Sequence, residues 1–358
     1  METPVQVLKI RAELSGSTLR CEIVISGEED PELEYAFYIN RNDRRIHTRW
    51  YQKSRLFDYD TGFVSGYYQV IGFVRGRGGA VQSAKSAPIF AHPIEIDEGA
   101  ISVFGDEGSV YLLRGERWKF PAIFFPGEAN SLFVLMPSAV DRAKVSLPVF
   151  SRWTWAAQGI FPGKVLCVAD PTLELNRDLQ LGWCLGSLEN CATEELVKLV
   201  IMFARAQSIP RDRIVFYGSS AGGFAALALA ARLDGSVAVA INAQTDALAY
   251  HVSKQVALVR QWCFSGWDEE RIRDTFADRV NMISRWDNVG RSRVVLVQNE
   301  LDEHHYSIHF KPFWESLGGG RAAMGICRAG KHVAWVYRDE RGHVPETLEM
   351  ARKIVSLI

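Results

Sequence analysis

The sequence holds no stretch approaching the ~20 consecutive apolar residues that span a bilayer. Its first residues, METPVQVLKIRAEL, lack the basic start, apolar run and small-residue cleavage site of a secretory leader. It holds no C-x-x-C pair: Cys21, Cys167, Cys184, Cys191, Cys263 and Cys327 are scattered. That argues against a zinc knuckle or disulfide framework and for small buried hydrophobes in a reducing compartment. Neither charge is in excess, with 41 Lys and Arg against 42 Asp and Glu, so no global field favours nucleic acid or an anionic membrane. There is no G-K-[ST] phosphate loop, no spaced G-x-G-x-x-G, no H-E-x-x-H helix, no internal repeat and no low-complexity tract. The expectation is a cytoplasmic globular protein with no metal site and no transmembrane segment.

What is present suits that class. The 358 residues are 47% hydrophobic and 23% charged, enough for a large core and long enough for two domains. The first ~95 residues carry short alternating runs at 19–25 (LRCEIVI), 35–39 (YAFYI) and 67–74 (YYQVIGFV). Turn material separates them at Ser26-Gly27, Asn42-Asp43 and Thr61-Gly62. This predicts a small all-β sandwich over 1–95, an accessory or partner-binding module, with the basic run 41–49 as a solvated hairpin tip.

From about residue 100 the pattern changes to strand, helix, strand, helix. Continuous apolar runs at 131–136, 165–168, 214–217, 237–241 and 294–297 suit parallel strands buried on both faces. Helical stretches lie between them at 193–206 and 223–233, the first with Thr193 as its N-cap. The alternation specifies α/β: a doubly wound, mostly parallel sheet over 100–358.

Residues 213–230 read RIVFYGSSAGGFAALALA. G-x-S-x-G between a buried strand and a helix puts Ser220 on the nucleophile elbow of an α/β-hydrolase sheet, where the helix N-terminus and the Ala221 N–H face a developing oxyanion. The pentapeptide alone is weak; the strand-helix context makes it specific, and Ser219 serves only if the turn is shifted by one. In such sheets the acid and then the base follow in chain order. The loop after 294–297 reads QNELDEHHY, giving Asp302 as the acid, with Glu300 and Glu303 as competitors. The loop after 332–337 gives His343, between Gly342 and Val344-Pro345 and ahead of a closing helix over 346–358. His304, His305 and His309 form a cluster whose rival reading is a metal site, but no cysteine partner or zinc spacing accompanies it; one of them more plainly lines a pocket. The second oxyanion donor is expected after 131–136, from the N–H of Ser138 or Ala139.

GSSAGGFAALALA, AINAQTDALAYH at 240–251, QNELDEHHY, RGHVPET at 341–347 and the strand running into Ser138-Ala139 together resemble the α/β-hydrolase-type capsule O-acetyltransferases, and more distantly the accessory-Sec glycan O-acetyltransferase. The resemblance spans about 130–345. It implies a serine acyltransferase that uses Ser220, Asp302 and His343 on a carbohydrate of a surface or capsular polysaccharide. It also implies acetyl-CoA as acyl-donor co-substrate rather than prosthetic group, and polysaccharide-synthesis glycosyltransferases as partners. It leaves out the sandwich and 148–183, an aromatic-rich segment in which Trp153 and Trp183 are candidates for stacking on sugar rings, with packing in the core as the plainer role. Two other readings fit the same residues: an esterase with the same triad, and a non-catalytic α/β-hydrolase-like scaffold.

Overall fold

The computed structural model describes residues 7–26, 31–76, 79–97, 109–287 and 289–358. Gly27, half of one expected turn, and the first six residues lie outside them. The described residues divide into two units, the first running to Ile94 with a short return at 109–110, the second holding the remainder.

The first unit is all-β. Strands β1 (Val7–Ser15), β2 (Thr18–Ile25), β3 (Glu34–Arg41), β4 (Arg44–Gln52), β5 (Leu56–Asp60), β6 (Gly66–Arg75), β7 (Val81–Lys85) and β8 (Ile89–Ala91) form two sheets, ordered β1-β2-β5 and β4-β3-β6-β7, with β8 on β6. Period-two alternation supplies the core between them: Ile10, Leu19, Cys21 and Ile23 from one sheet meet Tyr35, Phe37, Ile39, Tyr68, Val70 and Val74 from the other. The tight β3–β4 turn places Asn42 and Asp43 at φ 52° and 66°, the left-handed pair that a two-residue hairpin demands. The basic run occupies this hairpin, with Arg44 and Arg45 exposed.

The second unit is mixed α/β around one large, mostly parallel sheet. Its strands are β9 (Ile94–Ile96), β10 (Val110–Arg114), β11 (Lys119–Phe125), β12 (Ala129–Leu135), β13 (Gly163–Val168), β14 (Ile214–Ser219), β15 (Val237–Ile241), β16 (Arg293–Asn299), β17 (Gly325–Ala329) and β18 (His332–Tyr337). The helices are α1 (Trp153–Ala157), α2 (Ala192–Ala206), α3 (Ala221–Ala230), α4 (Ser253–Cys263), α5 (Glu269–Val280), α6 (Met282–Trp286), α7 (Lys311–Ser316) and α8 (Leu348–Val355). Strand order is β17-β18-β16-β15-β14-β12-β13-β11-β10-β9. From β18 to β13 every printed pairing is parallel, while β17 and β11 pair antiparallel at the flanks. The central strands are buried throughout, as VAVAI of β15 shows, which is why they read as continuous apolar runs. Helix α3, buried at every residue, packs on β14 and β15. No helix among the described residues is long and apolar enough to cross a membrane.

Helix starts depart from the expectation. Helix α2 begins at Ala192 with Cys191 as its cap, because the Thr193 hydroxyl is turned aside to donate to the Cys184 carbonyl at 2.7 Å. Helix α3 begins two residues earlier than its apolar pattern, directly after Ser220. All six cysteines are free thiols, four of them buried.

Candidate active site

Because β12, β14, β15, β16 and β18 are parallel, their carboxyl ends emerge at one edge of the sheet, where such folds collect ligand-handling loops. The chain order also reverses here: β13 adds on one side of β12 and β14 on the other. Ser138, Ser220, Gln244, Asp302 and His343 each follow one of these five strands.

Strand β14 passes into α3 through one residue, Ser220, held at φ 52°, ψ −121°, a costly conformation for a residue with a Cβ. Its N–H donates to the Ile241 carbonyl at 2.9 Å, and its own carbonyl accepts from Gly223 and Phe224. The second glycine of the motif is required by contact. A Cβ at Gly222 would lie 2.7 Å from the Met136 oxygen and 2.8 Å from that of Pro137, so the loop after β12 seats directly on the first turn of α3. The N–H of Ala221, in that first turn, has no acceptor within the helix.

The Ser220 hydroxyl lies 3.1 Å from Nε2 of His343, and Nδ1 of His343 lies 2.6 Å from Oδ2 of Asp302. Two asparagines hold the histidine's loop on either side. Asn299 Nδ2 donates to the carbonyls of Asp339 (2.7 Å) and Gly342 (2.8 Å), and Asn242 Nδ2 donates to that of Val344 (3.1 Å). The two are themselves joined, the Asn299 N–H donating to Asn242 Oδ1 at 2.8 Å. Behind them Glu346 accepts from Arg152 at 2.5 and 2.7 Å and from the Tyr217 hydroxyl at 2.9 Å. Burial works against both charges of this ion pair, yet mutual attraction wins: Glu346 is held below its ordinary pKa and Arg152 above its own.

Asp302 is 7% exposed. Burial would raise its pKa, but hydrogen bonds from His305 and His343 overcome that and hold the carboxyl well below the usual range. Its second oxygen, Oδ1, faces Nδ1 of His305 at 2.9 Å, and the two imidazoles stack with centroids 4.0 Å apart and planes inclined by 15°. Gln244 closes the circuit. Its Nε2 lies 2.7 Å from Nε2 of His305 and 3.0 Å from the Ser220 hydroxyl, and its Oε1 accepts from the Trp183 indole at 3.1 Å. An indole N–H only donates, so the amide oxygen must face Trp183 and the NH₂ must face Ser220 and His305. His305 Nε2 is therefore an acceptor, and its proton sits on Nδ1, donated to Asp302. The Ser220 oxygen accepts from Gln244, and its own hydrogen is left to point at His343.

Several sequence expectations are corrected. Trp183 is 1% exposed, edge-on to Phe224 and Tyr250, so it offers no face to a sugar and instead fixes Gln244. His305 is also buried, and it contacts Asp302 rather than lining a pocket. The Ser138 N–H is engaged by Ser151 Oγ at 3.3 Å, which leaves the neighbouring Ala139 N–H as the other donor expected from that loop. Ser219 is no substitute nucleophile: buried, its hydroxyl is taken by Arg152 at 2.7 Å and Ser138 at 2.8 Å. Trp153 is half-buried at the start of α1. Glu300 reaches Arg338 at 3.7 Å and Glu303 is exposed. Among the described residues the metal-ligand atoms that converge are those of Asp302, His305 and His343, and they are spent on one another. His309 uses Nδ1 to accept from the Thr245 N–H at 3.2 Å, so its Nε2 carries the proton and is no ligand. Sequence reasoning missed Gln244, Asn242 and Asn299; their one signal is the appearance of amide side chains immediately after apolar strands.

No protein-family model matches the sequence, and no curated protein matches it. Solved structures do resemble it. The capsule O-acetyltransferase of Neisseria meningitidis serogroup A superposes with a TM-score of 0.51 at 12% identity, over 70% of this chain and 93% of that one. The Glycosylation Associate Protein (Gap123) complex from Streptococcus agalactiae superposes with a TM-score of 0.50 at 14% identity, over 98% of this chain and 71% of that one. At such identity the likeness is one of fold.

Proposed function

We propose that the chain is a serine acyltransferase of the doubly wound α/β-hydrolase type that moves an acetyl group onto a carbohydrate hydroxyl. The observation that carries this reading is the hydrogen-bonded chain Asp302–His343–Ser220 at a strained elbow, 2.6 and 3.1 Å per link. As Ser220 Oγ attacks an acyl carbonyl, His343 Nε2 takes its proton. Asp302, anionic at neutral pH, stabilises the imidazolium, and the N–H groups of Ala221 and Ala139 receive the oxyanion. The leaving thiol or alcohol recovers the proton. An acceptor hydroxyl then gives its proton to His343 and takes the acyl group from Ser220. Acetyl-CoA fits as donor, a co-substrate and not a resident cofactor. The carbohydrate acceptor, and glycosyltransferases as working partners, rest on the capsule O-acetyltransferase and glycosylation-associated neighbours, which share the fold.

The test is transfer itself. With acetyl-CoA and a polysaccharide acceptor, CoA release is expected to exceed that with acetyl-CoA alone, with the glycan gaining mass in steps of about 42 Da and Ser220→Ala inert. One observation favours the esterase reading: the His343 side chain is 35% exposed, so the imidazole is open to water. Equal CoA release with and without glycan, alongside rapid deacetylation of acetylated sugars, would establish that reading instead.

A further inference from the structure

The ring Ser220–His343–Asp302–His305–Gln244–Ser220 gives the nucleophile oxygen a second partner that a triad does not require. Gln244 is fully buried, its amide orientation is set by Trp183, and one of its N–H groups is aimed at Ser220 Oγ at 3.0 Å. This donor meets different acceptors during turnover. In the free enzyme Oγ is a hydroxyl oxygen with a lone pair to offer. In the acyl-enzyme the same atom is the bridging oxygen of an ester, a poorer acceptor because its lone pair is delocalised into the carbonyl. As the ester breaks, Oγ becomes alkoxide-like and accepts most strongly.

We propose that Gln244 is a catalytic residue that keeps the acyl-enzyme short-lived, stabilising Oγ as it departs from the acyl carbon, with His305 as the positioning residue that holds the amide. The proposal rests on Ser220 being the nucleophile. In the second half-reaction the acceptor oxygen bonds to the acyl carbon while its proton passes to His343. The Oγ–C bond then breaks, its electron pair stays on Oγ under the Gln244 N–H, and His343 returns the proton to Oγ. An interaction weaker in the ground state than in the transition state accelerates that step. Acylation gains less, since the hydroxyl already enjoys the bond. Loss of the donor therefore slows deacylation more than acylation, and acyl-enzyme accumulates.

The experiment uses the full chain with p-nitrophenyl acetate, following nitrophenol release and the intact mass of acid-quenched protein at steady state. Gln244→Met is expected to lengthen the acyl-enzyme lifetime by about tenfold, the scale of one hydrogen bond to a buried oxygen, turning a mostly free enzyme into a mostly acetylated one. Gln244→Glu retains an acceptor for Trp183 while donating nothing to Ser220, so it repeats the result should the methionine variant fail to fold. His305→Phe preserves the stacked ring but frees the amide, and is expected to lengthen the lifetime by a smaller factor. Lifetimes within twofold of wild type in both Gln244 variants would overturn the proposal. Nitrophenol release undiminished in Ser220→Ala, or failure of the wild type to be labelled at Ser220 by a fluorophosphonate, would overturn the nucleophile assignment beneath it.

Discussion

Asp302 serves two imidazoles at once, His343 at 2.6 Å on one oxygen and His305 at 2.9 Å on the other. Both nitrogens must donate to it, which leaves Nε2 of each ring as an acceptor: one for the Ser220 hydroxyl, one for the Gln244 amide. Asp302→Asn breaks this symmetry, because an amide keeps an acceptor oxygen on one side and puts a donating NH₂ on the other. Where the Asn NH₂ faces His343, that ring must carry its proton on Nε2 and loses its capacity as a base. The expected cost is on the order of 10⁴ in kcat, as in other triads that lose the tautomer-setting group, with a parallel fall in fluorophosphonate labelling of Ser220. Glu300→Gln is expected to change neither rate, since that carboxylate points to Arg338; damage there with an unharmed Asp302→Asn would reassign the acid. That Ser220, Asp302 and His343 would meet was readable in the sequence because each sits in a loop after an apolar strand, in the chain order expected of a nucleophile, an acid and a base. Gln244 was not, because a lone glutamine in AINAQTD carries no motif and its partners are 24, 61 and 61 residues away.

At the scale of elements, the sequence located strands better than it located what their ends do. Continuous apolar runs mark β12 to β16 because both faces are buried, and that pattern survives any tertiary detail. Helix ends do not: Thr193 looked like a cap but spends its hydroxyl on Cys184, and Glu346 looked like a first helical turn but is the buried partner of Arg152. In both cases a contact outside the helix, nine residues away for Thr193 and 194 for Glu346, outweighed local propensity. The loop carrying His343 depends on such contacts. Asn299 supplies two donors to it from the end of β16, and its Oδ1 accepts from the N–H groups of Asp339 (2.9 Å) and Leu301 (3.2 Å). Asn299→Ala leaves those partners unmet and lets the imidazole drift from Ser220. A displacement near 1 Å can cost about 10²-fold, so kcat is expected to fall by ten- to a hundredfold with KM little changed. Steady-state kinetics beside a thermal melt separates this from unfolding. A loss confined to KM would place the loop's role in substrate binding instead.

Across the whole molecule, burial of neutral histidines ties stability to pH. His332, at the start of β18, accepts the Val294 N–H through Nδ1 at 3.1 Å, and His309 accepts that of Thr245 in the same manner. Burial pushes their pKa values down, to about 4 for His332, where Lys331 adds to the effect, and about 3 for His309, where the neighbouring imidazoles of His305 and His304 disfavour a further charge. In the unfolded chain both titrate near ~6.5. The folded values are depressed, so the unfolded state binds protons first as pH falls. The stability these rings contribute is complete above about pH 6.5 and declines toward about pH 4 and 3. Asp302, also depressed, keeps its contribution above the ordinary carboxylate range near ~3.9 and loses it only in stronger acid. Between pH 6.5 and 4.5 the histidines therefore govern the slope. The melting temperature is expected to be level above about pH 7 and to fall steadily below 6.5. His332→Leu cannot take a proton, so its curve is expected to start lower, with the Val294 N–H left unpaired, and to fall less steeply over the same range. Calorimetry of both proteins from pH 7.5 to 4.5 decides the matter: parallel curves would mean that His332 takes no part in the acid sensitivity and that other groups set it.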